Sequence, residues 1–386
     1  MRLTESFYRR KVAQCQNELK RRDLKGMLVL DYKNIWYLTG FFHFPTERPV
    51  AVFVPVDDEP ALFIPKLEED QVRGNWMSRV ETYFEYPGMQ PPLEYVADFL
   101  SSQGLEKEEI GFEGSTAVRT LRQLKELLPD VTWVETGEII AQMRLVKDEE
   151  EIALIRKAAE YSDFMVCEGV RILKEKGLVT ELELLREVVN RTTDKMLAEL
   201  GDIVYVGGIA DGLVCSGERS AFPHGLPSNR KLQRGDNLIL SFGCVVGGYN
   251  AESERTFFIG KPSDRQREVY RLLQEAQQKG TMALTTGQTC AAANRICLDT
   301  IREAGLGQYI KHRQGHGIGI ANHEPPWIED GDQTVLRANM VVSSEPGIYV
   351  PDEGGFRISD TVLITDADPE RLTRFPRNLE DVLIEL

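Results

Sequence analysis

Residues 232–258 read LQRGDNLILSFGCVVGGYNAESERTFF, and their alternation of apolar and polar character decides the architecture around them. Leu238-Ile239-Leu240 and Phe257-Phe258-Ile259 are short apolar runs of buried-strand type. Between them, Gly248 to Thr256 is polar, with Glu252 and Glu254 alternating along a strand so that one of them could simply face solvent. Outward from this stretch, Thr180 with Glu183 and Ser263 with Gln266 have capping-box spacing, which predicts helices starting near 181 and 264. Val341-Val342 and Thr361 to Ile364 read as further strands. Lys147 to Glu151 places acids in the first turn of a helix, where the macrodipole favours them, and Ile152, Ile155, Ala159 and Val166 continue it as one apolar face. Strand pairs and helices fall into separate groups, so residues 147–386 are predicted to be an α+β domain.

Residues 1–146 read differently. A charged helical stretch over 4–23 precedes the apolar run Gly26 to Leu30, and Val50 to Val54 and Ala61 to Ile64 form further strands bounded by prolines. Helical patterns recur at 93–103 and 117–128, the alternation of a smaller α/β domain. Two domains suit a chain of 386 residues with 42% hydrophobic and 28% charged residues. A net charge of -15 disfavours nucleic acid and anionic membrane surfaces as partners, since both are bound through cationic side chains. No apolar run approaches the roughly 20 residues of a membrane span, and Met1 to Arg10 lacks a signal-peptide stretch, so a cytoplasmic protein is expected. Six cysteines without a CxxC pair predict reduced, mostly buried thiols.

Four of the five histidines (His224, His312, His316 and His323) lie within a hundred residues of one another. They fall in or near segments where polar chemistry sits among glycines and prolines: Ser220 to His224, Gly315 to Gly319 with His323-Glu324-Pro325, Ser343 to Gly347, and Gly355 to Asp360. Imidazoles and carboxylates so grouped suit general acid/base work or metal coordination. Plainer readings remain: His224 as a hydrogen-bonded loop residue and His316 as a tight-turn residue. Glu345 is harder to treat so, because a carboxylate at an apolar strand end needs a partner.

In this order, GLVCSGERSAFPHGLP (212–227), the 232–258 stretch, GHGIGIANHEPP (315–326), NMVVSSEPGIYVPDEGGFRISDTVLIT (339–365) and the N-terminal NIWYLTGF (34–41) resemble the creatinase/prolidase family. The resemblance implies a C-terminal pita-bread (creatinase/aminopeptidase) domain over 147–386 behind a creatinase-type N-terminal domain over 1–146. It also implies a hydrolase of C–N bonds. In the metal-dependent Xaa-Pro peptidases of the family, two Asp, one His and two Glu hold two metal ions. Those positions fall here on Ser241, Glu252, His316, Glu345 and Ser359. Two carboxylates are thus hydroxyls, which removes negative charge from a site that must neutralise divalent cations.

The family also contains metal-independent creatine and ectoine hydrolases. His224 falls on the catalytic His of creatinase, and Glu254 and Glu345 fall on guanidinium-binding Glu residues. Arg48 lies where creatinase has an Arg that reaches into a partner subunit to hold the substrate carboxylate, which implies a homodimer. Ser359 replaces the creatinase His near the C-terminal motif, while Gly347-Ile348-Tyr349 and His323-Glu324-Pro325 look more like the peptidases. The expectation is therefore a metal-independent hydrolase of a small carboxylate-bearing substrate, with no cofactor. His224 would move the proton, Glu252, Glu254 and Glu345 would form a negative pocket, and His316 and His323 would donate to an oxyanion. Arg48 and Arg357 would bind substrate, with Arg357 also able to pair with a Glu. Two alternatives stand beside it. One is a metal-dependent Xaa-Pro peptidase acting on dipeptides, with one Mn, Co or Zn ion at Glu252, His316 and Glu345; the other is a non-catalytic binding protein of the same fold.

Overall fold

The computed structural model describes residues Met1 to Leu386. The chain divides into two compact units, Leu3–Arg144 and Leu145–Leu386, the second also taking in Met1–Arg2.

The first unit is a six-stranded sheet with helices. Its strands are β1 (Gly26–Val29), β2 (Ala51–Pro55), β3 (Ala61–Pro65), β4 (Arg79–Tyr83), β5 (Glu109–Phe112) and β6 (Thr132–Glu135), in the order β4-β3-β2-β1-β5-β6. β1, β2 and β3 pair antiparallel, whereas β4, β5 and β6 join in parallel. The helices are α1 (Glu5–Arg21), α2 (Tyr32–Thr39), α3 (Pro92–Ser102), α4 (Val118–Leu127) and α5 (Glu138–Leu145). α2 starts where the Asp31 carboxylate accepts from the amides of Lys33 and Asn34, and stops at Gly40, whose φ of 66° a side chain would resist. Leu28, Phe53 and Phe63 of the sheet pack with Val96, Leu100 and Leu124 of α3 and α4 as this unit's core.

The second unit begins with α6 (Glu149–Lys176) and α7 (Glu181–Leu200). Three capping boxes close: Asp148 with Glu151, Thr180 with Glu183, and Ser263 with Gln266 at the start of α8 (Asp264–Met282). Each satisfies amides that helix geometry leaves unpaired. α9 (Cys290–Glu303) follows.

The strands are β7 (Ala210–Ser216), β8 (Asn237–Val246), β9 (Tyr249–Ile259), β10 (Gly315–Gly317), β11 (Glu324–Ile328), β12 (Val341–Ser344), β13 (Gly347–Val350), β14 (Gly354–Arg357), β15 (Ser359–Leu363), β16 (Glu370–Arg371) and β17 (Leu383–Ile384). Nine form one sheet, seven of them in the order β11-β10-β12-β15-β9-β8-β7 and two off that path, β16 beside β15 and β17 beside β9; β13 and β14 form a separate hairpin.

β8 and β9 are much longer than the apolar triplets predicted. Their register runs unbroken from Asn237↔Phe258 to Val246↔Tyr249, so Tyr249 to Thr256 is strand throughout, with Gly247-Gly248 as the turn before it. That corrects the expectation for the two glutamates. Residues two apart on a strand share a face, and Glu252 and Glu254 are both buried on the same one, neither facing solvent. All six cysteines are free, and five are buried.

Candidate active site

The ladder register assembles the site. Ser241 of β8 opposes Glu254 of β9, and Glu254 in turn opposes Ser359 of β15. Glu252 stands two residues from Glu254 on β9, so strand periodicity brings Ser241, Glu252, Glu254 and Ser359 to one face, and Arg357 at the end of β14 reaches the same place through Glu254. β10 adds His316, and the residue just past β12 is Glu345. β10 can lie this close because it is Gly-His-Gly. A Cβ at 315 would meet the Ser343 carbonyl oxygen at 2.1 Å, and one at 317 the Pro325 oxygen at 2.3 Å.

Around His316 the polar groups converge without closing. Its Nδ1 lies 3.0 Å from the carbonyl of Gly317, which commits that nitrogen's proton. Nε2 then faces Glu345 at 3.2 Å and Glu252 at 3.9 Å, buried and with no aligned hydrogen bond. Burial alone would lower the imidazole pKa, but the two carboxylates outweigh it and raise it to about 9. Burial and the neighbouring Glu345 hold Glu252 well above the carboxylate range, whereas His316 overcomes burial to hold Glu345 below it. His323 stacks on His316 with centroids 3.8 Å apart. Burial and then the His316 charge push its pKa down to about 4, so it is neutral at pH 7.

Beside this cluster is a second one, in which Arg357 Nε and the Glu254 oxygen nearest it are likewise buried without an aligned hydrogen bond. Ser241 Oγ donates to one oxygen of Glu254, and Arg357 Nε lies 2.7 Å from the other. Arg357 also donates to the Pro223 carbonyl at 2.7 Å, holding the segment that carries His224, and reaches Tyr349 Oη at 3.5 Å. Ser359 Oγ donates to Glu252 at 3.0 Å. His224, Ser241, Glu252, Glu254, His323, Glu345 and Arg357 all line one cavity of about 1030 Å³, where His224 is exposed. Arg48 belongs to the other unit, where it pairs with Glu47 and Glu85 beside a separate cavity of about 620 Å³.

Three supports escaped sequence reading. His312 lies 2.7 Å from Tyr349 Oη through Nε2 and 2.8 Å from the Arg313 carbonyl through Nδ1, and so takes part in the Arg357 network. Lys147 and Glu324 form a buried pair at 3.0 Å, and Glu324 also accepts from Ala321 N, bracing the turn that carries His323. Arg255, on the opposite face of β9, spends its five N–H donors on Asp360 and on the carbonyls of Glu254, Ser359, Phe375 and Pro376. The available signal was the one-residue offset: Arg255 sits between site-facing positions and therefore had to point away from them.

Glu252, His316 and His323 bring their ligand atoms within 4.8 Å of one another, and Glu345 is in contact with His316. Two carboxylates and an imidazole nitrogen converge there, a donor set that suits a divalent cation once the cation displaces the proton on that nitrogen. The expectation of no cofactor therefore needs correction: this donor set asks for a cation. Ser241 and Ser359 direct their hydroxyls at Glu254 and Glu252, and a guanidinium lies on the flank of Glu254.

Buried carboxylates and imidazoles gathered beside one sheet of the second unit make a candidate catalytic site. Comparison with known proteins gives the chain's family. Residues 153–366 match metallopeptidase family M24, and residues 11–146 match the creatinase/prolidase N-terminal domain. An Xaa-Pro dipeptidase of Pyrococcus furiosus is 32% identical over 351 residues, covering 90% of this chain and 92% of its own. Dipeptidase PepE from Mycobacterium ulcerans superposes with a TM-score of 0.88 at 28% identity over the full length of both chains. An Xaa-Pro dipeptidase from Bacillus anthracis gives 0.84 at 27%, covering 98% of this chain and all of its own. The chain belongs to the creatinase/prolidase family, with the pita-bread architecture, and is a hydrolase acting on C–N bonds.

Proposed function

We propose that the protein hydrolyses the C–N bond of a small carboxylate-bearing substrate of dipeptide size, as an Xaa-Pro dipeptidase working with one divalent cation. The observation that carries this is the unclosed convergence of Glu252, Glu345 and His316 Nε2. Glu252, His316 and Glu345 would hold the ion, with His323 adjacent. A Mn, Co or Zn ion there supplies Lewis acidity towards a carbonyl oxygen.

The chain's own groups do the rest. His224, exposed on the cavity wall, carries the proton to the leaving nitrogen. His323 is neutral at pH 7 and so can donate one N–H to a developing oxyanion without adding charge beside the cation. Arg357 is a positioning residue, since it anchors the His224 segment through Pro223. Arg48 is assigned to the substrate carboxylate, whose flat two-oxygen shape matches its fork, with a homodimer as the working unit.

The test is hydrolysis of Xaa-Pro dipeptides, creatine and ectoine by protein purified without added metal, with and without EDTA, Mn2+ and Co2+. Dipeptide turnover that rises with Mn2+ or Co2+ and disappears with chelator is expected. The second reading, metal-independent hydrolysis, is favoured by Ser241, Ser359 and the Glu254–Arg357 ion pair. Turnover of creatine or ectoine indifferent to EDTA would establish it instead.

A further inference from the structure

We infer that Asp211 binds the free α-ammonium of the substrate and so selects peptides whose scissile bond directly follows the N-terminal residue. The inference rests on the proposed dipeptide substrate and is independent of whether a metal takes part.

The register of β7, β8 and β9 places this residue. Asp211 opposes Gly243, and Gly243 opposes Glu252, so the three form one row across the sheet and share a face. Leu213, two residues on, stands in the row of Ser241 and Glu254, and both Asp211 and Leu213 line the cavity that holds His224, Glu252 and Glu345. The middle of the first row is open, because residue 243 has no side chain; within 4 Å a Cβ there would meet only the Ala251 carbonyl oxygen, at 3.2 Å. Two strand spacings set the backbones of Asp211 and Glu252 about 9–10 Å apart. A charge-assisted hydrogen bond of about 2.8 Å and one residue of about 3.8 Å bridge most of that gap. An ammonium over Gly243 therefore puts the next carbonyl beside the cluster of Glu252, His316 and Glu345.

Charge gives Asp211 the task. The other carboxylates lining the cavity are engaged: Glu252 and Glu345 face His316, Glu254 faces Arg357, and Glu329 pairs with Arg313 at 3.3 Å. Asp211 is exposed and has no cationic partner. Its Oδ1 accepts from the neighbouring Gly212 amide at 2.7 Å, and Oδ2 accepts nothing. An ammonium taken from water into such a cavity is costly unless it is paired, and Asp211 is the acid there without a partner. Leu213, half-buried beside it, offers an apolar wall to the same residue's side chain.

Asp211→Asn keeps the shape of the side chain and removes its charge. The probes are Ala-Pro and propionyl-proline, which differ only in that the second has hydrogen in place of the amine. The parent is expected to prefer Ala-Pro in kcat/KM by about tenfold to a hundredfold, the worth of one hydrogen bond between charged groups. Asp211→Asn should lose that preference while handling propionyl-proline within about threefold of the parent. Calorimetric titration of the EDTA-treated full chain with both ligands reads the same preference in Kd, apart from turnover: Ala-Pro should bind about tenfold more weakly to the variant, and propionyl-proline equally well to both. A parent without the preference, or a variant that retains it, would overturn the inference and leave the dipeptide reading standing. An equal loss on both ligands would make Asp211 a structural residue and overturn it too. A parent that neither binds nor cleaves either ligand would overturn the dipeptide reading, and the inference with it.

Discussion

At the residue scale, the site works through pairs of groups whose protonation is set by each other. His316 is held positive or cation-bound because two carboxylates face its Nε2, and His323 is held neutral in part by that same charge. His224 stands apart on the cavity wall, so His224→Ala should leave the fold intact while lowering kcat by about 10²- to 10⁴-fold with little change in KM. Steady-state kinetics checks this, and unchanged turnover would remove His224 from the reaction. A separate imidazole governs acid sensitivity. His43 is 5% exposed against Phe41 and Trp36, and burial lowers its pKa below the ordinary 6.5. Below that pH the unfolded chain takes up a proton that the folded one refuses, so this contribution to stability is present above it and declines as pH falls. Urea unfolding at pH 7.5 and 5.5 should show a smaller acid loss in His43→Gln than in the parent. Equal losses would clear His43. Residue types were legible in the chain: the five positions that the resemblance matched to metal ligands, Ser241, Glu252, His316, Glu345 and Ser359, all fall in one neighbourhood.

At the element scale, the feature that matters most is the register of β8, β9 and β15, because a slip of one residue would send every site carboxylate to the other face. Arg255 and Asp360 pin that register from behind, wholly buried at 2.7 Å. Arg255→Lys keeps the charge but cannot serve five acceptors from one ammonium, and should cost about 3–5 kcal/mol of stability. Chemical denaturation would show it, and a loss below about 1 kcal/mol would mean the pair is not the pin. Capping boxes were legible because they are local, involving residues three apart. The extents of β8 and β9 were not, because polar residues such as Asn250 and Ser253 are held in strand by a neighbour's backbone rather than by their own hydrophobicity. Glu252 and Glu254 were misjudged for the same reason: their burial comes from β15 and β12, which lie about a hundred residues away in the chain.

At the scale of the whole molecule, each unit carries its own core and its own cavity. An ion bound only in the folded second unit stabilises that unit by about 2.7 kcal/mol at a hundred times its Kd. Mn2+ should accordingly raise its thermal transition, and EDTA should reverse the rise; a transition indifferent to both would count against the metal. Arg48 offers a test of the assembled enzyme, since Arg48→Ala should raise KM for the dipeptide while sparing kcat if it holds only the carboxylate. Motif order over almost the full length determined the family and the two-domain plan, because both are written in residue identities at fixed spacing. Sequence could name the candidate ligands but not their state. Only the tertiary structure decided that Glu254 meets Ser241 and Arg357 while His316 Nε2 stands between Glu252 and Glu345. That distinction turns on ångström distances and shared desolvation among strands distant in the chain, which no local stretch of sequence encodes.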